Sequence, residues 1–207
     1  SLKDVAIDMP AGPSEVEVIA DGTANPDFIA ADLLSQAEHG ADSQAMLVTS
    51  AESIVSPVVD AIQQQLSELS RKDITAKALE HSRIIVLKDE REVIAFTNMY
   101  APEHLIIQTE NYAHIAEQIE NAGSVFMGPY TPESAGDYAS GTNHTLPTNG
   151  YAKAYSGVNL DSFIKKITFQ EITAEGIKNL GGTIQTMAGN EQLDAHRNAV
   201  TIRLKTI

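Results

Sequence analysis

The 207-residue sequence contains no cysteine and no tryptophan. Without cysteine the chain cannot form a disulfide framework, a cysteine-ligated zinc finger, an iron–sulfur cluster or a thiol nucleophile. It has no apolar run that approaches the roughly 18–20 residues of a membrane-spanning helix, so we predict no membrane partner. No basic and then apolar signal peptide stands at its start, so we expect a cytoplasmic protein.

Positive charge is also scarce, because 14 Lys and Arg residues stand against 28 Asp and Glu residues, a formal net charge of −14. A nucleic-acid surface needs clustered Lys and Arg, so we predict no nucleic-acid partner. The sequence lacks a Gly-x-Gly-x-x-Gly segment after any predicted strand and lacks a Gly-Lys-Ser/Thr segment. It therefore carries no recognisable dinucleotide-binding or P-loop fingerprint.

What the sequence does contain is an alternation of short β-branched apolar segments with amphipathic helical segments. This alternation is typical of a parallel sheet with crossover helices, so we predict an α/β fold. The predicted strands are residues 5–8, 15–20, 45–49, 83–87, 104–108 and 124–127. The predicted helices cover residues 25–39, 57–69, 89–99, 111–121 and 193–204, with another apolar helical face over 177–187.

The sequence changes character after Gly128. Residues 128–157 hold eight of the chain's prolines and glycines, and a loop of this length is usually functional or a linker. We therefore predict two domains, an α/β domain over residues 1–150 and a small, mostly helical domain over 151–207. We do not expect the second domain, at this length, to form a hydrophobic core of its own.

Three polar residues share one face of the first predicted helix. Asp32, Gln36 and His39 follow one another at spacings of four and three in an otherwise apolar segment. A buried polar stripe needs partners, and a metal ion is one kind of partner. The alternative is a histidine that caps the end of the helix or faces solvent.

A second candidate pair, Glu103 and His104, lies between Pro102 and a predicted strand. In a loop, both side chains can reach one cleft, where they suit general acid–base work. The alternative is a solvated turn.

Two more segments carry donor groups. Asp137 and His144 lie in the glycine-rich loop, and small residues beside them are typical of a ligand-binding loop. Glu191 and His196 open the last helix, where a capped surface helix is the simpler interpretation. His39, Asp137, His196 and a Gln or Glu offer N and O ligands that suit Zn²⁺ or another borderline ion, although no fixed motif spacing decides this.

Four long segments resemble histidinol dehydrogenase, in that family's order and at compatible spacing. They are residues 12–15 (GPSE), 32–39 (DLLSQAEH), 101–105 (APEHL) and 132–144 (PESAGDYASGTNH). Residues 146–148 and 195–196 continue the match, so the resemblance covers essentially the whole chain. The family is about twice this length, and the chain looks like its C-terminal half.

The resemblance implies an incomplete Rossmann-like domain in a zinc enzyme that oxidises L-histidinol, through the aldehyde, to L-histidine with NAD⁺. Glu103 and His104 then look like the proton-transfer pair. The implied zinc ligands are Gln36, His39, Asp137 and His196, and the implied substrate contacts are these four with Ser14, His104 and Glu191. The family is a homodimer in which the segment with Glu191 and His196 is expected to complete the partner's site.

The residues are compatible with that chemistry. Many aldehyde-oxidising enzymes use a cysteine, and this chain has none, so its aldehyde must be hydrated, with Glu103 as the base that activates water. The family's NAD contacts lie mostly in the other half, so we expect this chain alone to be inactive. Two other functions stay open: a non-catalytic metal- or ligand-binding α/β module, and a zinc hydrolase that uses Glu103.

Overall fold

The structure, a computed structural model, describes residues 9–10 and 12–207. Its centre is a parallel sheet whose five strands lie in the order β3-β2-β1-β4-β5. The strands are β1 (Glu15–Ala20), β2 (Gln44–Thr49), β3 (Arg83–Val86), β4 (His104–Gln108) and β5 (Ser124–Met127). The predicted α/β fold is confirmed, whereas the strand predicted over residues 5–8 lies outside the described residues.

The helices connect these strands and continue after the last one. They are α1 (Pro26–Ala37), α2 (Val55–Glu68), α3 (Lys72–His81), α4 (Glu90–Tyr100), α5 (Tyr112–Ala116), α6 (Glu133–Tyr138), α7 (Ala174–Asn190) and α8 (Asp194–Leu204). Helix α1 begins as predicted, since the Asn25 side chain accepts from the Asp27 N–H at 2.9 Å and Pro26 takes the first helical position.

Three helical predictions differ from the structure. Helix α2 starts at Val55 rather than at Pro57, because a proline within the first turn removes no intrahelical hydrogen bond. Helix α5 ends at Ala116 rather than near Asn121. Beyond its end, the side-chain oxygen of Asn98 accepts hydrogen bonds from the N–H groups of Glu120 and Asn121 at 2.7 and 3.2 Å. The predicted loop after Gly128 contains the short helix α6.

Alternate residues of the strands pack on opposite faces of the sheet. On one face Val16 and Val18 of β1 pack with Ile29 and Leu33 of α1. On the other face Ile19 of β1 packs in a second cluster that includes Val93 and Ile94 of α4. Because helices cover both faces, the central strands β1, β2 and β4 are buried, whereas β3 and β5 at the two sides of the sheet are partly exposed.

The chain divides into two compact units, of which the first ends at Ile164 and the second runs from Lys165 to Ile207. The second unit holds α7 and α8, which are joined by a 2.6 Å hydrogen bond from Gln185 to Thr201. A domain boundary near residue 150 remains a prediction. Among residues 9–10 and 12–207, no helix combines the length and the apolar character that crossing a bilayer requires.

Candidate active site

Four segments that the sequence analysis singled out meet at the amino-terminal edge of the sheet. Ser14 directly precedes β1, and Glu103 and His104 stand at the start of β4. Helix α1 leaves the carboxyl end of β1 and runs back along the sheet, so its last turn brings Gln36 to the same edge. Helix α6 returns after β5 in the same way and brings Asp137.

A glycine allows α6 to approach the sheet closely. A Cβ atom on Gly136 would lie 2.6 Å from the ring of Phe126 on β5. A larger residue would require the Phe126 ring or α6 to shift, and a shift of α6 would move Glu133 and Asp137 with it.

The carboxylate of Glu103 is held by two donors. Its Oε2 accepts from the Ser14 hydroxyl at 2.7 Å and from the Glu15 N–H at 2.9 Å, and the side chain is 7% exposed. Charge-assisted bonds of this kind fix a carboxylate firmly.

The ring of His104 is held through one nitrogen and open at the other. Its Nδ1 lies 3.1 Å from the Glu15 carbonyl oxygen and 3.6 Å from Glu103 Oε2. A carbonyl only accepts, so Nδ1 carries the hydrogen and a neutral ring keeps its lone pair on Nε2. That Nε2 is buried, has no hydrogen-bond partner, and lies 4.0 Å from Asp137 Oδ1.

A hydrogen-bonded carboxylate and a histidine with a free Nε2 therefore stand side by side. This arrangement suits proton transfer to and from a bound molecule.

Burial and neighbouring charges shift the pKa values of several groups at this edge. Burial alone lowers the pKa of His104, but the hydrogen bond to Glu103 and the negative charges of Glu133 and Glu103 outweigh it and raise the pKa to about 9. Burial raises the pKa of Glu133 to about 7, an effect that His104 opposes and Asp137 reinforces. Burial also raises the pKa of Asp32 to about 7, against the hydrogen bond from Gln108. Such an excess of buried acid favours a bound cation.

Three side chains can offer ligand atoms to one metal ion. One atom each of His39, Glu133 and Asp137 lies within 4.8 Å of the other two, and these residues are exposed, buried and half-buried respectively. Imidazole nitrogen and carboxylate oxygen are donors that zinc takes in proteins, so the donor set fits that ion.

Gln36 lies beside this cluster and is fully buried. With its amide nitrogen toward Glu133, it donates to the two carboxylate oxygens at 2.9 and 3.2 Å, and its carbonyl oxygen faces the Ser14 hydroxyl at 3.2 Å. Ser14, Gln36, His39, Glu103, His104 and Asp137 are therefore brought to one edge.

The other candidate residues are Glu191, His196 and His144. Glu191 and His196 belong to the second unit, where both are exposed. His144 is exposed in the loop after α6. The roles assigned to Glu191 and His196 remain predictions.

One site residue escaped the sequence analysis. Glu133 is 1% exposed and contacts Gln36, but the segment around it was predicted to be a loop. The available signal was the spacing of four between Glu133 and Asp137, which places both on one face once the segment is helical.

Known proteins resemble the chain over nearly its whole length. The family model described as histidinol dehydrogenase matches residues 2–204. All 207 residues align at 67% identity with a histidinol dehydrogenase of Bacteroides thetaiotaomicron and cover 48% of it. A histidinol dehydrogenase of Vibrio parahaemolyticus is 57% identical over 206 residues and is also 48% covered.

A crystal structure of histidinol dehydrogenase from Elizabethkingia anophelis superposes with a TM-score of 0.95 at 62% identity. The alignment covers 98% of this chain and 47% of that one. The chain thus spans about half the length of the relatives it matches.

Proposed function

Because the chain belongs to the histidinol dehydrogenase family, we propose that it supplies the metal-binding and acid–base residues for the oxidation of L-histidinol, through the aldehyde, to L-histidine. One observation carries this proposal. The unpartnered Nε2 of His104 opens beside a cluster of metal donors, while Glu103 is fixed next to it. Oxidation of an amino alcohol needs a hydride acceptor together with a proton acceptor, and an ion that holds the substrate can orient it for both.

Zinc would be held by Gln36, His39, Asp137 and His196. Zinc, when bound, supplies a fixed anchor for the amino and imidazole nitrogens of the substrate and so orients the carbon that is oxidised. Support comes from the grouping of His39 with Asp137 and from the position of Gln36 beside them. Ser14 lies at the same edge, within reach of a molecule bound there.

The acid–base work is divided between two side chains. In its neutral form His104 accepts the substrate's hydroxyl proton at Nε2, since Nδ1 is already committed to the Glu15 carbonyl oxygen. A cation bound beside the ring would oppose the raised pKa of His104 and favour this neutral form. Glu103 accepts a proton from the water that adds to the aldehyde, which replaces the covalent thiol adduct of a cysteine enzyme. NAD⁺ would supply the hydride acceptor in both oxidations. We assign no residue of this chain to NAD⁺, because the chain carries no dinucleotide fingerprint.

The proposal includes a homodimer whose subunits share sites, with Glu191 and His196 serving the partner's site. The exposure of both residues within the second unit is compatible with such a role. The proposed location is the cytoplasm.

A hybrid enzyme tests the activity. In this hybrid, the 207 residues replace the matching residues of the Bacteroides thetaiotaomicron relative, which differ at about a third of positions. We expect formation of NADH that depends on histidinol, with zinc in the purified protein. As a control, the unaltered relative is assayed in parallel.

The same hybrid tests the shared site. Chains carrying Glu103→Gln and chains carrying His196→Asn should each be weakly active, and mixed dimers should regain activity at their hybrid sites. Heterodimers without recovery would refute the shared site. A hybrid that binds zinc but forms no NADH would instead favour a binding module, and zinc-dependent ester hydrolysis would favour a hydrolase.

A further inference from the structure

We propose that Glu133 is a positioning residue, whose carboxylate binds the amide nitrogen of Gln36 and thereby leaves the carbonyl oxygen of Gln36 available to a cation. This inference rests on the proposed zinc site and adds to it the means by which a weak, neutral ligand is oriented.

Both residues are enclosed by the protein. Gln36 is 0% exposed and Glu133 is 1% exposed, so water cannot take the place of either partner. The two oxygens of Glu133 lie 2.9 and 3.2 Å from one polar atom of the Gln36 amide, and hydrogen bonding assigns this atom as the nitrogen. Gln36 is on α1 and Glu133 is on α6, so the contact also joins two helices of the first unit.

The chemistry of the pair selects one orientation of the amide. Beside a bound cation the ionised form of Glu133 is favoured, and an ionised carboxylate only accepts hydrogen bonds, whereas an amide can donate from nitrogen or accept at oxygen. With its nitrogen toward Glu133 the amide donates. The reverse orientation would place a carbonyl oxygen against two carboxylate oxygens, with no hydrogen between them.

The other end of the amide is left available to a cation. The carbonyl oxygen of Gln36 lies 3.2 Å from the Ser14 hydroxyl oxygen. That hydroxyl has one hydrogen, and its closer acceptor is Glu103 Oε2 at 2.7 Å. The Gln36 oxygen therefore has lone pairs without a donor of its own, which is the condition that a metal ligand requires.

Outer residues that fix a ligand in this way are common at metal sites, and their loss typically weakens metal binding about 10- to 100-fold. An amide depends on such a partner more than a carboxylate does, because only one of its two polar atoms can bind a cation. Glu133 as a direct ligand is the competing explanation, since its oxygen is also near His39 and Asp137.

A double-mutant cycle on zinc affinity separates these explanations. The variants of the 207-residue chain are Glu133→Gln, Gln36→Met and both together, with the exposed Glu117→Gln as a matched control. Dissociation constants are measured by competition with a chromophoric chelator. We expect Glu133→Gln to weaken zinc binding about tenfold or more when Gln36 is present, and less than about twofold in the Gln36→Met background.

Equal losses in the two backgrounds would overturn the proposal, because a direct ligand or a simple charge effect does not depend on Gln36. A wild-type chain that binds no zinc would overturn the zinc site and this inference together, whereas zinc binding unaffected by Glu133→Gln would overturn the inference alone.

A second experiment uses a more conservative variant and tests the contact between Glu133 and Gln36 in protein without metal. Glu133→Asp keeps the charge but retracts the carboxylate by one methylene. In zinc-free protein we expect hydrogen exchange at the Gln36 side-chain amide, followed by NMR, to be faster in Glu133→Asp than in the wild type. Unchanged exchange would contradict the proposed contact.

Discussion

The two edges of the parallel sheet use their carboxylates differently. At the carboxyl edge Asp21 follows β1 and accepts from the N–H groups of Thr23 and Glu110, both at 2.9 Å. Through these hydrogen bonds Asp21 joins the loop after β1 to the loop after β4. At the amino edge Glu103, Glu133 and Asp137 gather around His104, whose Nε2 has no partner. At one edge the protein itself supplies the donors of Asp21, whereas at the other the Nε2 of His104 is left for a ligand.

This difference is instructive because ligands of open α/β sheets usually bind outside the carboxyl ends of the strands. Here the return of α1 and α6 along the sheet brings the polar ends of these helices to the opposite edge. The location of the site is therefore set by where the polar side chains lie on the helices, and not by the strand order alone.

The largest expected effect is on kcat, in a comparison of one glutamate from each edge of the sheet in the hybrid enzyme. Glu103→Gln should lower kcat for oxidation of the aldehyde about 10²- to 10⁴-fold, because an amide cannot accept a proton from water. Glu110→Gln should leave kcat within about twofold, since Glu110 joins the carboxyl-edge network through its backbone N–H. Steady-state NADH formation measures both.

Zinc content provides the control for this comparison and should be equal in the two variants. An unchanged rate of aldehyde oxidation in Glu103→Gln would remove Glu103 from its proposed role.

A smaller effect concerns Glu17, which lies in β1 between the two edges and is fully buried beside Thr97. Burial raises its pKa to about 8, and the hydrogen bond from Thr97 only partly opposes this. The folded chain thus binds a proton that the unfolded chain releases at lower pH. The stability contributed by the neutral group is complete below about pH 4.5 and is lost as pH rises through about 8.

Urea unfolding between about pH 5 and pH 9 should show this loss, on the order of a few kcal/mol. Glu17→Gln cannot ionise, so its unfolding free energy should depend less steeply on pH than that of the wild type. Parallel pH profiles for the two proteins would contradict the assignment to Glu17.

The smallest expected effect is at the carboxyl edge. Asp21→Ala removes the acceptor of two backbone N–H groups and should lower the unfolding free energy by about 1–2 kcal/mol. Zinc affinity should stay the same, since Asp21 lies at the edge away from the metal donors. Asp60→Ala, at an exposed position of α2, is the control for both measurements. A loss of zinc binding in Asp21→Ala would show that the two edges are not independent.

Much of this could be predicted from the sequence, for reasons that lie in particular residues. Asn25 and Pro26 predicted the start of α1 because a side-chain acceptor and a missing N–H act locally. The end of α5 was not predictable, because the acceptor that competes for the backbone is Asn98, distant in the sequence.

Glu133 shows the same limit within the site. Its segment is rich in proline and glycine, which obscures a six-residue helix, and its partner Gln36 lies 97 residues earlier in the chain. Short helices of this kind gain their stability from packing, here the contact of Gly136 with Phe126, and packing is not a local property.

The sequence by itself determined the α/β fold and most of the strands, and it indicated several of the polar residues that meet at the amino edge of the sheet, because periodicity, capping and residue chemistry are local. It also limited any metal ligands to N and O donors, since the chain has no cysteine. The tertiary structure alone decided at which edge of the sheet these residues meet, which nitrogen of His104 lacks a partner, and that Gln36 faces Glu133. These depend on contacts such as those of His104 with Glu15 and Gln36 with Glu133, which exist only when distant segments are folded together.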